Sequence, residues 1–408
     1  MRLFNIAILT FIVTANSGFA TELQPGSFDA ELVTPGGPIR FELQLGYDDG
    51  DTWTASIRNP LEHVRIPSIT VQDDSVTLAF PHYDSTIVAK VEGDRLVGKY
   101  RKRRGPSKWG EMTFNAKRRQ AGQTSRASGP SFDRFVGKWS VKFSKSEDPA
   151  LGVFSVRKND KEPWGTFLTT TGDYRFLVRQ SCDDNTKVEL SVFDGAHAFL
   201  FRMQRDTNNK LTGDFWSGNS WHETFSGELD PRAELPDAFR LTTVLKGTQL
   251  NDLKYPDLNG KLTSLGNKKF AGKARIIQVF GSWCPNCHDA ALYLAELDKK
   301  YRDKGLSIVG LAFEHTGELE RDAEMVRRYI KRHGTKYPVL LAGLSDKGKA
   351  TKQFPLIDRV RSYPTTIFLR ADGTVRAVYT GFSGPATGKA NDKLKTRFEK
   401  LIEELLAE

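Results

Sequence analysis

Hydrophobic and polar residues alternate early in the chain. Ile39, Phe41, Leu43 and Leu45 are separated by polar positions, as are Trp53, Ala55 and Ile57, then Val76, Leu78 and Phe80. Period-two alternation between turn signals predicts half-buried antiparallel strands. The pattern returns in Phe154 and Val156, in Val188, Leu190 and Val192, and in Phe199, Phe201 and Met203. The two stretches also match residue by residue. Leu96-Val97-Gly98-Lys99-Tyr100, with Trp109 and Phe114 after it, is echoed by Leu211-Thr212-Gly213-Asp214-Phe215, with Trp221 and Phe225. Gly26-Ser27-Phe28 corresponds to Gly137-Lys138-Trp139. Matching positions lie between 111 residues (Gly26 to Gly137) and 115 residues (Leu96 to Leu211) apart. So steady an offset predicts a tandem repeat of two antiparallel β modules, over 21–118 and 132–232. Each has the size of a small barrel or sandwich, and the pattern fits both. Residues 119–131 between them lack large apolar side chains and read as a flexible linker.

From about Gln249 the period changes. Arg275 to Phe280 and Leu306 to Phe313 are buried strands, and Asp289 to Arg302 and Arg321 to His333 are helices. The first of these helices is read with Leu292, Leu294, Ala295, Leu297 and Tyr301 on its inner side. Short strands follow at Val339 to Ala342, Thr365 to Leu369 and Val375 to Tyr379. The last helix carries Leu394, Phe398, Leu401, Ile402 and Leu405 at helical spacing. Residues 249–408 are therefore a separate α/β three-layer domain.

Composition adds a location. Arg2, an apolar run from Leu3 to Val13 and the small-residue end Gly18-Phe19-Ala20 predict a cleavable signal peptide over 1–20. The run falls short of the ~20 apolar residues that span a bilayer. Export to the periplasm is expected, with an uncleaved N-terminal membrane anchor as the alternative. The net charge of +10 is spread through all regions and comes with no nucleic-acid-binding motif, so no nucleic acid is expected as a partner. The densest basic run, Lys99 to Arg104, reads as the solvated tip of a hairpin.

The chemistry lies in cysteine. The chain has three: Cys182, Cys284 and Cys287. That is too few for a disulfide framework in an exported protein of this length. Cys182 falls in a polar turn and reads as an inert thiol or as a site for an intermolecular bridge. Cys284 and Cys287 form a C-x-x-C between a buried strand and a helix. A helix N-terminus favours negative charge, so it stabilises a thiolate at Cys284. Cys287, one turn in, is placed to resolve a mixed disulfide. Pro285 suits the first helical turn. The dispersed histidines offer no zinc spacing, so no metal and no cofactor are expected beyond a redox-active Cys284–Cys287 disulfide.

With Pro256-Asp257-Leu258-Asn259-Gly260-Lys261, Gly281 to Cys287, Tyr363-Pro364-Thr365-Thr366 and Thr380-Gly381-Phe382, the last 155 or so residues resemble the TlpA/ResA-like thiol–disulfide oxidoreductases. The resemblance implies a thioredoxin fold and a cis Tyr363–Pro364 peptide against Cys284, whose backbone docks substrate. Trp283 reads as a shield for the disulfide that shapes the docking surface, or as a packing residue, and Pro285 and Asn286 read as docking residues that tune the potential. The resemblance also implies a disulfide-containing protein substrate and a membrane-embedded thiol reductase as electron donor. Two carboxylates usual near such sites are missing: Gln278 stands six residues before Cys284, and Ala290 three after Cys287. Glu314, at the end of its strand, is the candidate acceptor for the Cys287 proton. His288 reads either as a tuner of Cys284 or as an exposed helix residue.

The function expected is an exported disulfide reductase, whose β modules recognise substrate or contact the envelope. A thiol peroxidase is the alternative on the same fold, although Gly281 replaces the Thr that peroxidatic sites carry. A ligand-binding β-repeat protein with an accessory redox domain is the other.

Overall fold

The computed structural model describes residues 22–59, 62–120, 132–156, 163–184 and 186–408. The expected signal peptide and most of the expected linker lie outside them.

The first module contains β1 (Gly26–Thr34), β2 (Gly37–Tyr47), β3 (Trp53–Asn59), β4 (Glu62–Ile66) and β5 (Ser68–Gln72). It continues with β6 (Ser75–Phe80), β7 (Ser85–Glu92), β8 (Arg95–Arg103) and β9 (Trp109–Arg118). They form one antiparallel sheet ordered β4-β3-β2-β1-β9-β8-β7-β6-β5. Ile39, Leu43, Ile57, Val76, Leu78 and Phe80 are all buried inside it. Lys99 to Arg103 lie within β8 rather than in a loop, because pairing continues to Arg103↔Trp109.

The second module contains β10 (Gly137–Phe143), β11 (Ala150–Val156), β12 (Pro163–Thr169), β13 (Gly172–Asp173) and β14 (Leu177–Asp184). It ends with β15 (Lys187–Phe193), β16 (Ala198–Arg205), β17 (Lys210–Ser217) and β18 (Trp221–Leu229). Its order is β11-β10-β18-β17-β16-β15-β14-β12-β13, and a further β11–β12 pairing closes the sheet into a barrel. The interior is aromatic: Phe201 stacks on Phe167 at 4.5 Å and on Phe215 at 4.4 Å between ring centroids. Cys182 lies on β14 rather than in a turn.

The two modules share a core. Phe193, at the end of β15, reaches into the first module, with its ring 4.8 Å from Phe41 and 5.2 Å from Tyr100. Ala196, Ala198 and Leu200 accompany it. Burying a large aromatic across a boundary fixes the two bodies together.

The C-terminal domain has a short hairpin, β19 (Lys254–Pro256) with β20 (Leu262–Ser264), and a five-stranded mixed sheet. The sheet strands are β21 (Ala274–Phe280), β22 (Leu306–Glu314), β23 (Val339–Leu344), β24 (Thr365–Leu369) and β25 (Val375–Thr380), ordered β23-β22-β21-β24-β25. β21, β22 and β23 are parallel, while β24 and β25 run antiparallel. The helices are α1 (Pro285–Tyr301), α2 (Leu319–His333), α3 (Lys347–Gln353) and α4 (Lys389–Ala407). Leu292 of α1 faces outward at 53% exposure, and Tyr293 takes the inner position instead. Phe239 packs on Tyr379 at 4.9 Å, and Arg397 pairs with Asp237 at 3.0 Å, so the chain joins this domain before Gln249. The carboxyl ends of β21 and β22 meet the start of α1, and the functional side chains gather there.

Candidate active site

Cys284 is the N-cap of α1, with Pro285 at its first helical position. Its carbonyl accepts from the Cys287 and His288 N–H groups at 3.0 and 3.2 Å. Both cysteines are free thiols. The Cys284 thiol donates to the Tyr363 carbonyl at 3.3 Å. The Tyr363–Pro364 peptide is cis, and the Pro364 carbonyl accepts from Gly381 N–H at 2.9 Å. Cys284 is 6% exposed and Cys287 not at all. Burial, then the hydrogen bond and charge of Cys284, push the Cys287 thiol well above the usual range. Loss of that proton therefore needs an acceptor close by.

Glu314 ends β22 as a buried carboxyl. Ser282 donates to it twice, from N–H at 2.8 Å and from O–H at 2.7 Å. Burial outweighs both donors and pushes its pKa up to about 8. Its charge is felt at Cys287. Gln278 is buried and uncharged, accepting from the Thr366 hydroxyl at 2.7 Å. Ala290 is buried.

Trp283 is fixed by its indole N–H, which donates to the Phe313 carbonyl at 2.9 Å. Its ring stacks on His315 at 4.7 Å and meets Tyr363 edge-on at 5.4 Å. His288 is not an exposed helix residue: it is buried, with His82, Tyr83, Tyr329 and His333 around it. Its Nε2–H donates to the Ser282 carbonyl at 2.7 Å, and Nδ1 lies 2.6 Å from His333 Nε2. Among the described residues no group of three metal-ligating side chains converges.

The β modules supply residues that sequence reasoning did not find. Lys102 donates to the Ala196 carbonyl at 2.9 Å. Its ammonium is pushed down to about 8, by burial first and then by Arg104, while Cys284 pulls the other way. The turn between β12 and β13 reaches the redox domain, where Ser362 O–H donates to the Thr171 carbonyl at 3.0 Å. Asp173 accepts from Gly384 N–H at 2.9 Å. Arg175 binds Asp289 of α1 at 2.6 Å and also pairs with Glu62. Lys102 belongs to the basic run that the sequence reads as solvated, and nothing in the sequence singled out Thr171 or Arg175, because their partners are over a hundred residues away.

Known proteins match this part of the chain. The Redoxin family model matches residues 245–394. The thiol-disulfide oxidoreductase ResA of Bacillus thuringiensis is 30% identical over 130 residues, which is 32% of this chain and, at 66%, just under two thirds of that relative. The thioredoxin-like protein YneN of Bacillus subtilis is 27% identical over 138 residues, or 34% of this chain and 73% of that one. A crystal structure of a thioredoxin-family thiol:disulfide interchange protein from Chlorobium tepidum superposes with a TM-score of 0.29 at 22% identity, covering 43% of this chain and 99% of its own.

Proposed function

Residues 245–394 are a redoxin domain with ResA-like thiol–disulfide oxidoreductase relatives, and from that premise we propose that the protein reduces substrate disulfides by dithiol exchange through Cys284 and Cys287. The observation that carries this reading is the pair itself: one thiol at a helix N-cap and a second, fully buried, one turn inside.

The Cys284 thiolate attacks one sulfur of the substrate disulfide. A mixed disulfide forms, and the first substrate thiolate leaves with a proton from solvent. Glu314 takes the Cys287 proton, and the Cys287 thiolate then attacks Cys284 Sγ. The second substrate thiolate departs, protonated. Two electrons and two protons pass to the substrate, leaving a Cys284–Cys287 disulfide that a thiol reductant must reopen. By the same resemblance that donor is membrane-embedded. A pKa near the working pH is what a proton acceptor needs, and Glu314 at about 8 meets it. Trp283 and Tyr363 wall the sulfur, with Pro364, Pro285 and Asn286 bounding the docking surface. The N-terminal segment supports export to the periplasm. No helix among the described residues is long and apolar enough to cross a membrane. We also read the β modules as copies of one unit: β9-β8-β7-β6-β5 and β18-β17-β16-β15-β14 follow the first strand of each in the same order.

Replacing Cys287 by Ser tests the mechanism. The Cys287→Ser protein should accumulate a mixed disulfide at Cys284, seen on a non-reducing gel and by mass spectrometry, whereas Cys284→Ser should trap nothing. Identical behaviour of the two variants would end the exchange reading. A potential more oxidising than around −180 mV would reverse its direction.

A further inference from the structure

The β12–β13 turn lies against the segments that flank Cys284. Thr171 contacts Ser362, and the next residue, Tyr363, carries the carbonyl that holds the Cys284 thiol. Gly172 is pressed against the C-x-x-C itself: a Cβ there would stand 2.0 Å from Asn286 Nδ2. A Cβ on Gly381 would come within 2.8 Å of the Thr171 backbone. Asp173 holds Gly384 N–H in a buried contact. The turn therefore bridges the two segments that frame Cys284, the first turn of α1 with Asn286 and the loop with Ser362.

Arg175 fastens it. This guanidinium, 12% exposed, pairs with Glu62 of the first module, with Asp194 of its own module at 3.6 Å, and with Asp289 of α1 at 2.6 Å. One side chain thus ties all three bodies together. Its backbone is left-handed, φ 63°, a conformation that costs a non-glycine residue free energy and persists only where surroundings hold it. The Asp173 carboxylate accepts from Arg175 N–H at 2.9 Å and helps to hold it.

We propose that the turn Thr169–Asp173, latched by Arg175, is a specificity-determining cap on Cys284. It admits disulfides of small molecules and excludes those of folded proteins. This rests on the exchange reading above and narrows its substrate class. In-line attack requires three sulfurs in a row. A bulky partner cannot bring its disulfide onto a cysteine that is 6% exposed and flanked on one side by a second domain. A small disulfide needs room only for itself.

The test uses the reduced full-length protein with Cys182→Ser, so that label reports on Cys284. Labelling by N-ethylmaleimide is compared with labelling by a polymer-linked maleimide, and reduction of a small aromatic disulfide with reduction of insulin. Arg175→Ala removes the latch, and Gly172→Ala forces the turn off Asn286 by a separate route. We expect each variant to raise the polymer rate about tenfold relative to N-ethylmaleimide, and the insulin rate by a similar factor relative to the small disulfide. Unchanged ratios in both variants would overturn the cap, as would a parent protein that reduces insulin as readily as the small disulfide. If the labelling ratio responds while neither disulfide is reduced, the cap stands and the exchange reading fails.

Discussion

At Glu314 two effects compete, since burial disfavours its carboxylate while Ser282 donates to it twice. The outcome near 8 says that burial wins. A folded-state value above the ordinary 4.5 means the native protein holds this proton more tightly than the unfolded chain does. The resulting stability is fully present below about pH 4.5 and is lost as pH rises through about 8. Glu314→Gln should remove that slope, measured as the urea midpoint across the same window. In turnover at neutral pH the same variant should slow release of the mixed disulfide about a hundredfold, leaving the first attack by Cys284 unchanged. Single-turnover kinetics separate the two steps. Equal slowing of both would mean that Glu314 only shapes the site.

At the scale of elements, the N-terminal turns of α1 are buried under a histidine cluster rather than open to water. Burial lowers His82 to about 3 and His333 to about 4, and takes His288 well below its ordinary value. Arg332 adds its positive charge to each, and Tyr83 and Tyr329 complete the wall. Depressed histidines favour the neutral form in the native state. Their contribution is present above about pH 6.5 and is lost as pH falls toward 3 to 4. The thermal midpoint should therefore drop through this range. His288→Gln, which keeps a donor for the Ser282 carbonyl, should drop less. A parallel pH profile for the variant would show that His288 does not carry the effect.

Across the whole molecule, Phe193 joins the modules and Arg175 joins both modules to the redox domain. Arg321 of α2 adds an ion pair with Asp84 of the first module, which Arg103 also holds at 2.6 Å. Phe193→Ala should cost about 3–5 kcal/mol. Because it empties a contact between bodies, calorimetry should show the unfolding of the modules separating into resolved steps. A single transition merely shifted downward would mean that other contacts carry the coupling.

Much of this was legible in local pattern. Ile39, Leu43 and Ile57 alternate in sequence and are buried in the sheet, and the strands around Cys284 lie within a residue or two of their expected bounds. The spacing of Cys284 and Cys287 placed both on one helix turn, and the end of a strand pointed to Glu314. Leu292 misled because helical periodicity over a few residues does not fix which face is inner when Tyr293 can fill the same space. Lys102 misled because a charge run reads as solvated until a second module is seen to cover it.

The sequence by itself determined the strand and helix periods, the thiol pair and its setting at a helix start, since these depend on neighbours a few residues apart. The tertiary structure alone decided what packs beside the C-x-x-C. The Thr171–Ser362 contact joins residues 191 apart, and the Arg175–Asp289 pair residues 114 apart. Such contacts follow from how whole modules dock, through the shared core around Phe193, and no local rule of propensity or spacing encodes that docking.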